Sequence, residues 1–333
     1  MKTNKKIFIL ITLLVLLTTG CTKQLKTADG KVVTASETKQ ALVENILCQP
    51  NELKNDYEQA LAKKLEAYQK KLEEGEISQK DYEKKTSSML DLNSLPKCEN
   101  ISVVQGGYET LWTSVFVKPL AWLIVKTGKI VKNYGFAIIL ITILIKLVLF
   151  PFSLKSLKQS ENMKKAQPKL SKIEKKYANK TDQESMMMKS NEMMAVYKEY
   201  GIKPLSGCLL AFVQIPLFFA FYEALYRLPI LFESKFIGLH MGMTPLAGAQ
   251  AGQWYYLVLP ILVGVVTYFS FKMNKSGMSG TMGDQAKQMG MMFNIMIVMI
   301  FVTSFSMSTA IIIYWITNSL FTIGQNLLVK RSK

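Results

Sequence analysis

Lys146 is the only charged residue between Tyr134 and Phe152, in a run long enough to cross a bilayer. A charge held mid-membrane costs on the order of 3 kcal/mol on insertion scales, so an intramembrane ionisable group usually faces a polar cavity. The alternative is snorkelling. Lys146 stands about seven residues from Ser153, roughly 10 Å along a helix, so its long stem could carry the ammonium toward the interface. Thr142 sits one turn earlier on the same face. Other apolar runs also hold polar side chains: Gln214, Asn294, Thr317, Asn318 and Gln325. Each alone is explained by hydrogen bonding between helices. Together with a lysine they suggest a wet groove lined by several spans.

Two further residue classes could carry chemistry. There are 19 methionines. Met186, Met187, Met188, Met193 and Met194 lie in one charged stretch, and Met273, Met278, Met282, Met289, Met291 and Met292 lie in or beside another. Flexible thioethers suit binding to varied apolar segments, although they also serve as packing filler. Of four cysteines, Cys208 falls in an apolar run and reads as inert packing. Cys48 and Cys98 lie in a polar region, each beside a proline turn. In an exported region they are candidates for a disulfide, and two buried free thiols are the alternative. There is no Walker-type loop, no paired histidine ligands and no nucleophile elbow. The sequence therefore predicts no catalytic residue, no metal site and no cofactor.

These residues need a scaffold, and the hydropathy pattern supplies one. Residues 1–20 read as a signal peptide: Lys2, Lys5 and Lys6 precede a short apolar core from Ile7 to Leu17. Cys21 follows Thr19-Gly20 and resembles the lipidated cysteine of a bacterial lipobox. The competing readings are an ordinary signal peptide or an uncleaved anchor. Residues 21–107 are expected to be an extracytoplasmic helical domain, with helices at Glu52–Glu74 and Ser78–Met89 broken at Gly75. Leu53, Tyr57, Leu61, Leu65, Tyr68 and Leu72 would form one apolar stripe. Residues 108–133 read as an interfacial amphipathic helix, with Trp112, Phe116, Leu123 and Ile130 on one face and Lys118, Lys129 and Lys132 off it. A soluble helix of the preceding domain is the alternative. Then come five transmembrane spans: 134–152, ending at Pro151, 204–226, 254–271, 289–304 and 307–329. Between them lie a charged helical hairpin at 153–203 (helices Lys155–Ala178 and Asp182–Tyr200), a loop at 227–253 and a loop at 272–288. Residues 330–333 form a basic tail. The fold class is an all-α polytopic membrane protein.

The net charge is +17. Basic excess alone fits nucleic acid or an anionic membrane. Its distribution decides against nucleic-acid specificity. Residues 22–107 hold 13 Lys/Arg against 14 Asp/Glu, whereas 153–201 hold eleven lysines against six acids. Cationic short loops mark the cytoplasmic side. The hairpin, the 272–288 loop and the C-terminus are placed inside. The lipidated N-terminal domain and the 227–253 loop are placed outside.

Two runs then become recognisable. Tyr197-Lys198-Glu199-Tyr200-Gly201-Ile202-Lys203-Pro204-Leu205-Ser206-Gly207-Cys208-Leu209, continuing to Gln214-Ile215-Pro216-Leu217-Phe218-Phe219-Ala220-Phe221-Tyr222, resembles the hairpin-to-span junction of the YidC/Oxa/Alb membrane protein insertases. Tyr314-Trp315-Ile316-Thr317-Asn318-Ser319-Leu320-Phe321-Thr322-Ile323-Gly324-Gln325 is similar to that family's last span. The resemblance covers roughly residues 108–330, and the lipobox points to the Gram-positive form. It implies a groove open to the cytoplasm and to lipid, in which Lys146 takes the place of a family arginine. Leu210 stands where the family has proline, and prolines usual between Met291 and Ile313 are absent.

The resemblance implies a non-enzymatic insertase and chaperone in the bacterial cell membrane. Its substrates would be nascent membrane proteins, and its partners the ribosome, the Sec translocon and membrane lipids. The groove would be lined by Lys146, Thr142, Gln214, Asn294, Asn318 and Gln325, with clients leaving past Tyr314 and Trp315. A small secondary transporter of an anionic solute is the alternative, with Lys146 as counter-ion. Transporters of that kind usually carry paired repeats, which this chain lacks.

Overall fold

The computed structural model describes residues 22–104, 109–202, 206–278 and 283–331. The expected signal peptide at 1–20 and Cys21 lie outside the described residues. The chain divides into two compact units, one of 1–141, 216–257 and 306–313, the other of 142–215, 258–305 and 314–333.

In the first unit, residues 22–50 are extended rather than helical. Antiparallel bridges pair Gln24 with Val43, Lys26 with Val32 and Thr34 with Ala41. The β-branched run Val32-Val33-Thr34 favours this conformation, and Leu25, Ala35, Leu42 and Val43 are buried by it. The expected pair of helices follows, α1 (Lys54–Glu73) and α2 (Gln79–Ser87). Gly75 sits just past α1 with φ +73°, the left-handed conformation that ends helices. The Ser78 side chain accepts from Asp81 N and starts α2. The expected apolar stripe is buried at its start only. Leu53 and Tyr57 are in the core, where the Tyr57 hydroxyl accepts from Val43 N at 3.3 Å, while Leu65 is exposed. A disulfide joins Cys48 to Cys98 across 50 residues of chain.

The amphipathic segment opens on a π-helical turn, Thr113–Val117, and continues as α3 (Lys118–Val131). It corrects the expected faces. Trp112 is buried and Phe116 exposed, although both were placed on one face; Lys118, placed off that face, is buried. Lys132 takes φ 53° and closes the helix.

Helix α4 (Tyr134–Val148) stops short of Pro151, where the first span was expected to end. Its successor α5 (Phe150–Lys176) starts after a break at Leu149, bent by 64°. Pro151 lies in the first turn of α5, where a missing N–H costs nothing, so the break precedes the proline. The charged hairpin belongs to the second unit. It consists of α5 and α6 (Gln183–Glu199), with Asp182 capping Ser185 N at 2.8 Å. Met163, Ala166, Leu170, Met193, Val196, Tyr197 and Ile202 form its core.

Next comes α7 (Ser206–Tyr226). The expected loop at 227–253 is structured instead: α8 (Pro229–Phe232), a two-stranded turn of β1 (Lys235–Phe236) and β2 (Leu239–His240), and α9 (Pro245–Gln250). The last three helices are α10 (Val258–Met278), α11 (Gly283–Ser304) and α12 (Thr309–Arg331). Helices α10 and α11 extend into the expected 272–288 loop. Among the described residues, Trp254–Met273 is long and apolar enough to cross a membrane. Tyr134–Val148 with Phe150–Lys176 passes as a second, bent span, and Asn294–Ser304 is a shorter apolar helix.

Candidate functional site

Lys146 lies in the last turn of α4, and burial inverts the usual pattern there. Lys146 is 6% exposed and Thr142 is buried, whereas Leu144 and Leu147 are 51% and 54% exposed. A helix that turns leucines out and a lysine in is built for an apolar solvent. In water the same arrangement would expose apolar surface at about 25 cal/mol per Å².

Within the second unit the lysine has a partner on another helix. Lys146 Nζ donates to Gln214 Oε1 at 2.7 Å, and Gln214 Nε2 donates to Asn318 Oδ1 at 3.2 Å. Three residues singled out from sequence, on α4, α7 and α12, thus form one polar chain. Its direction follows from chemistry. An ammonium only donates, so it requires the Gln214 carbonyl, which leaves the Gln214 amide to find an acceptor in Asn318. Thr322 Oγ1 donates to the backbone carbonyl of Asn318 at 2.8 Å, a local bond within α12.

Trp315 Nε1 donates to Thr267 Oγ1 at 2.9 Å, tying α12 to α10. Sequence reasoning missed Thr267, which is fully buried. A lone threonine in an apolar run gives no signal until its indole partner is known. Tyr314 is buried, and so is Gln325, whose Nε2 has no partner among the described residues. Asn294 is exposed, unlike Lys146 and Thr142. Of the exposed methionines, Met186, Met187, Met188 and Met194 lie along α6, while Met193 is used in the hairpin core.

The first unit holds a second charged cluster that sequence reasoning did not find. Arg227, just past α7, is 2% exposed. Its Nη2 grips Glu109 at 2.8 and 2.9 Å, its Nη1 donates to Glu223 at 3.3 Å, and its Nε donates to the Asn45 carbonyl at 2.5 Å. Trp112 Nε1 donates to Glu223 at 3.0 Å, and Lys118 lies 3.5 Å from Glu109. Burial acts to raise the Glu109 carboxyl, but the bonds and charge of Arg227, aided by Lys118, outweigh it and hold the group below its ordinary value. Two cations and two carboxylates balance, and the cluster fastens the 22–104 domain through Asn45. Glu233 adds a second fastening, accepting from Asn51 N and Leu53 N at 2.7 and 3.1 Å. Burial pushes its carboxyl up.

No group of three or more His, Cys, Asp or Glu that could hold a metal occurs among the described residues. A cavity of about 580 Å³ lies in the 22–104 domain, walled by Lys23, Lys26, Glu44, Lys64 and Tyr68.

Comparison with known proteins adds a family. Residues 126–333 match the family described as 60Kd inner membrane protein. A membrane protein insertase YidC of Oceanobacillus iheyensis is 34% identical over 224 residues, covering 66% of this chain and 84% of that protein. The membrane protein insertase MisCA of Bacillus subtilis is 34% identical over 220 residues, 66% of this chain and 79% of its own. The membrane protein insertase YidC 2 of Bacillus anthracis is 34% identical over 221 residues, 66% and 81%.

Proposed function

The chain belongs to the YidC family of membrane protein insertases and acts on membrane proteins without being an enzyme, and we propose that it works through the positive charge of Lys146 in a groove between spans. The observation that carries this reading is the pairing of Lys146 with Gln214 and Asn318 behind an apolar exterior. Snorkelling would leave the ammonium seeking the interface rather than an amide on another helix.

In this reading the chain crosses the bacterial cell membrane five times, with α7, α10, α11 and α12 as four spans and α4 with the start of α5 as a bent first span. Exposed apolar side chains support it: Val258, Ile261 and Val265 on α10, Ile295, Val298 and Val302 on α11, and Leu320, Leu327 and Leu328 on α12. Cys21 carries the lipid outside, and the C-terminus is inside. The basic hairpin receives a nascent chain from the ribosome, alone or beside the Sec translocon, and the methionines of α6 hold its apolar segment. Lys146 attracts an acidic exported tail and shortens its path through hydrocarbon. The apolar segment then passes Tyr314 and Trp315 into lipid. Partition into hydrocarbon drives this step, so it needs no ATP. A membrane potential adds about 2.3 kcal/mol per charge per 100 mV.

Insertion into proteoliposomes tests the role of Lys146. With Lys146→Ala, single-span clients with acidic exported tails should lose insertion several-fold more than clients with neutral tails. Equal loss on both would remove the electrostatic role. Uptake of an anionic solute without client insertion would favour a transporter instead.

A further inference from the structure

We infer that Asn318 is a positioning residue that sets how strongly the insertase prefers clients with acidic tails. This rests on the reading of Lys146 as the groove's charge and names the residue that regulates it. Gln214 can present either end of its amide to α4. Presenting its carbonyl to Lys146 turns its Nε2 toward α12, where Asn318 Oδ1 receives it at 3.2 Å. Asn318 thus holds Gln214 as an acceptor and, through it, holds the ammonium at 2.7 Å. In a low-dielectric setting such linked bonds polarise and reinforce one another.

The chain acts as a threshold. An ammonium has three donors, and Gln214 offers it one neutral acceptor. A carboxylate forms charge-assisted bonds roughly twice as strong as neutral ones, so an acidic tail displaces Gln214 where a neutral tail does not. The firmer the hold of Asn318 on Gln214, the more a client must offer. Removing the Asn318 acceptor loosens Lys146. Placing a carboxylate at 318 keeps the acceptor and adds a resident negative charge that competes with the client's own.

Two variants and two readouts test this. The first readout is the ratio of acidic-tail to neutral-tail client insertion in proteoliposomes. The second is the rate at which an amine-reactive reagent modifies Lys146, followed by peptide mass spectrometry, which needs no client. Asn318→Leu should raise both, the ratio by about threefold, the size expected for losing one neutral hydrogen bond. Asn318→Asp should lower both. A merely structural role would depress insertion of both clients together and leave the ratio unmoved. Unchanged Lys146 modification in both variants would overturn the positioning role of Asn318 while leaving the Lys146 reading intact. Modification that shifts in opposite directions with a flat client ratio would overturn client selection by way of that reading.

Discussion

Residues in this chain are tuned for two different solvents. Lys146 is inside and leucines are outside on α4, while Arg227 gathers Glu109, Glu223 and the Asn45 carbonyl around itself. Removing one partner from a buried ion pair leaves an uncompensated charge and commonly costs about 3–5 kcal/mol. Arg227→Met should therefore destabilise the first unit strongly, read as a drop in the melting temperature of the purified protein. Arg227→Lys should recover little of it, because one ammonium cannot reach Glu109, Glu223 and the Asn45 carbonyl as the three guanidinium nitrogens do. Glu109 gives a pH test. Its carboxyl is held low in the fold, so its pairing contributes stability above the ordinary carboxylate range of about pH 4 and loses it as pH falls through the lowered value. The melting difference between the parent and Glu109→Gln should be largest near neutrality and shrink below about pH 4. A constant difference would contradict the pairing. Lys146, Gln214 and Asn318 could be read as candidates from sequence because polar groups in apolar runs are few. Arg227 could not, because its partners Asn45 and Glu109 lie 182 and 118 residues away in the chain.

At the scale of elements, periodicity found the helices and misplaced their ends. The long helices and the charged hairpin were legible because apolar and charged runs alternate in long blocks. The break at Leu149 was not, because Pro151 marks the first turn of a new helix rather than the last of the old one. The extended segment at 22–50 was missed because its strands are single bridges too short to show alternation. The order within the 227–253 loop was missed because it comes from contacts. Gly135 in the first turn of α4 is one of them: a Cβ there would meet the Phe236 ring at 2.3 Å. Gly135→Ala should force that ring aside and cost about 1–3 kcal/mol, measured as reduced thermal stability. The Cys48–Cys98 bond closes the base of the 22–104 domain. Replacing both cysteines with serine should destabilise that domain by about 2–4 kcal/mol and open it to limited proteolysis. An unchanged cleavage rate would mean that the clasps at Arg227 and Glu233 suffice without it.

For the molecule as a whole, charge is partitioned rather than spread. The net charge is +17, the 22–107 region is nearly neutral, and residues 153–201 hold eleven lysines against six acids. Composition alone would have allowed a nucleic-acid partner; only the position of the lysines argued for a membrane. The core of the family lies in residues 126–333, and the bridged, disulfide-closed domain at 22–104 is fastened ahead of it by side-chain clasps. The proposed mechanism requires that a positive charge inside the apolar spans selects clients by the charge of their exported tails. Charge reversal tests it most directly. Lys146→Glu should be assayed in proteoliposomes with matched single-span clients whose exported tails are acidic, neutral or basic. Acidic tails should become the poorest clients, and basic tails should gain relative to neutral ones. The same order of preference in the parent and in Lys146→Glu would contradict it.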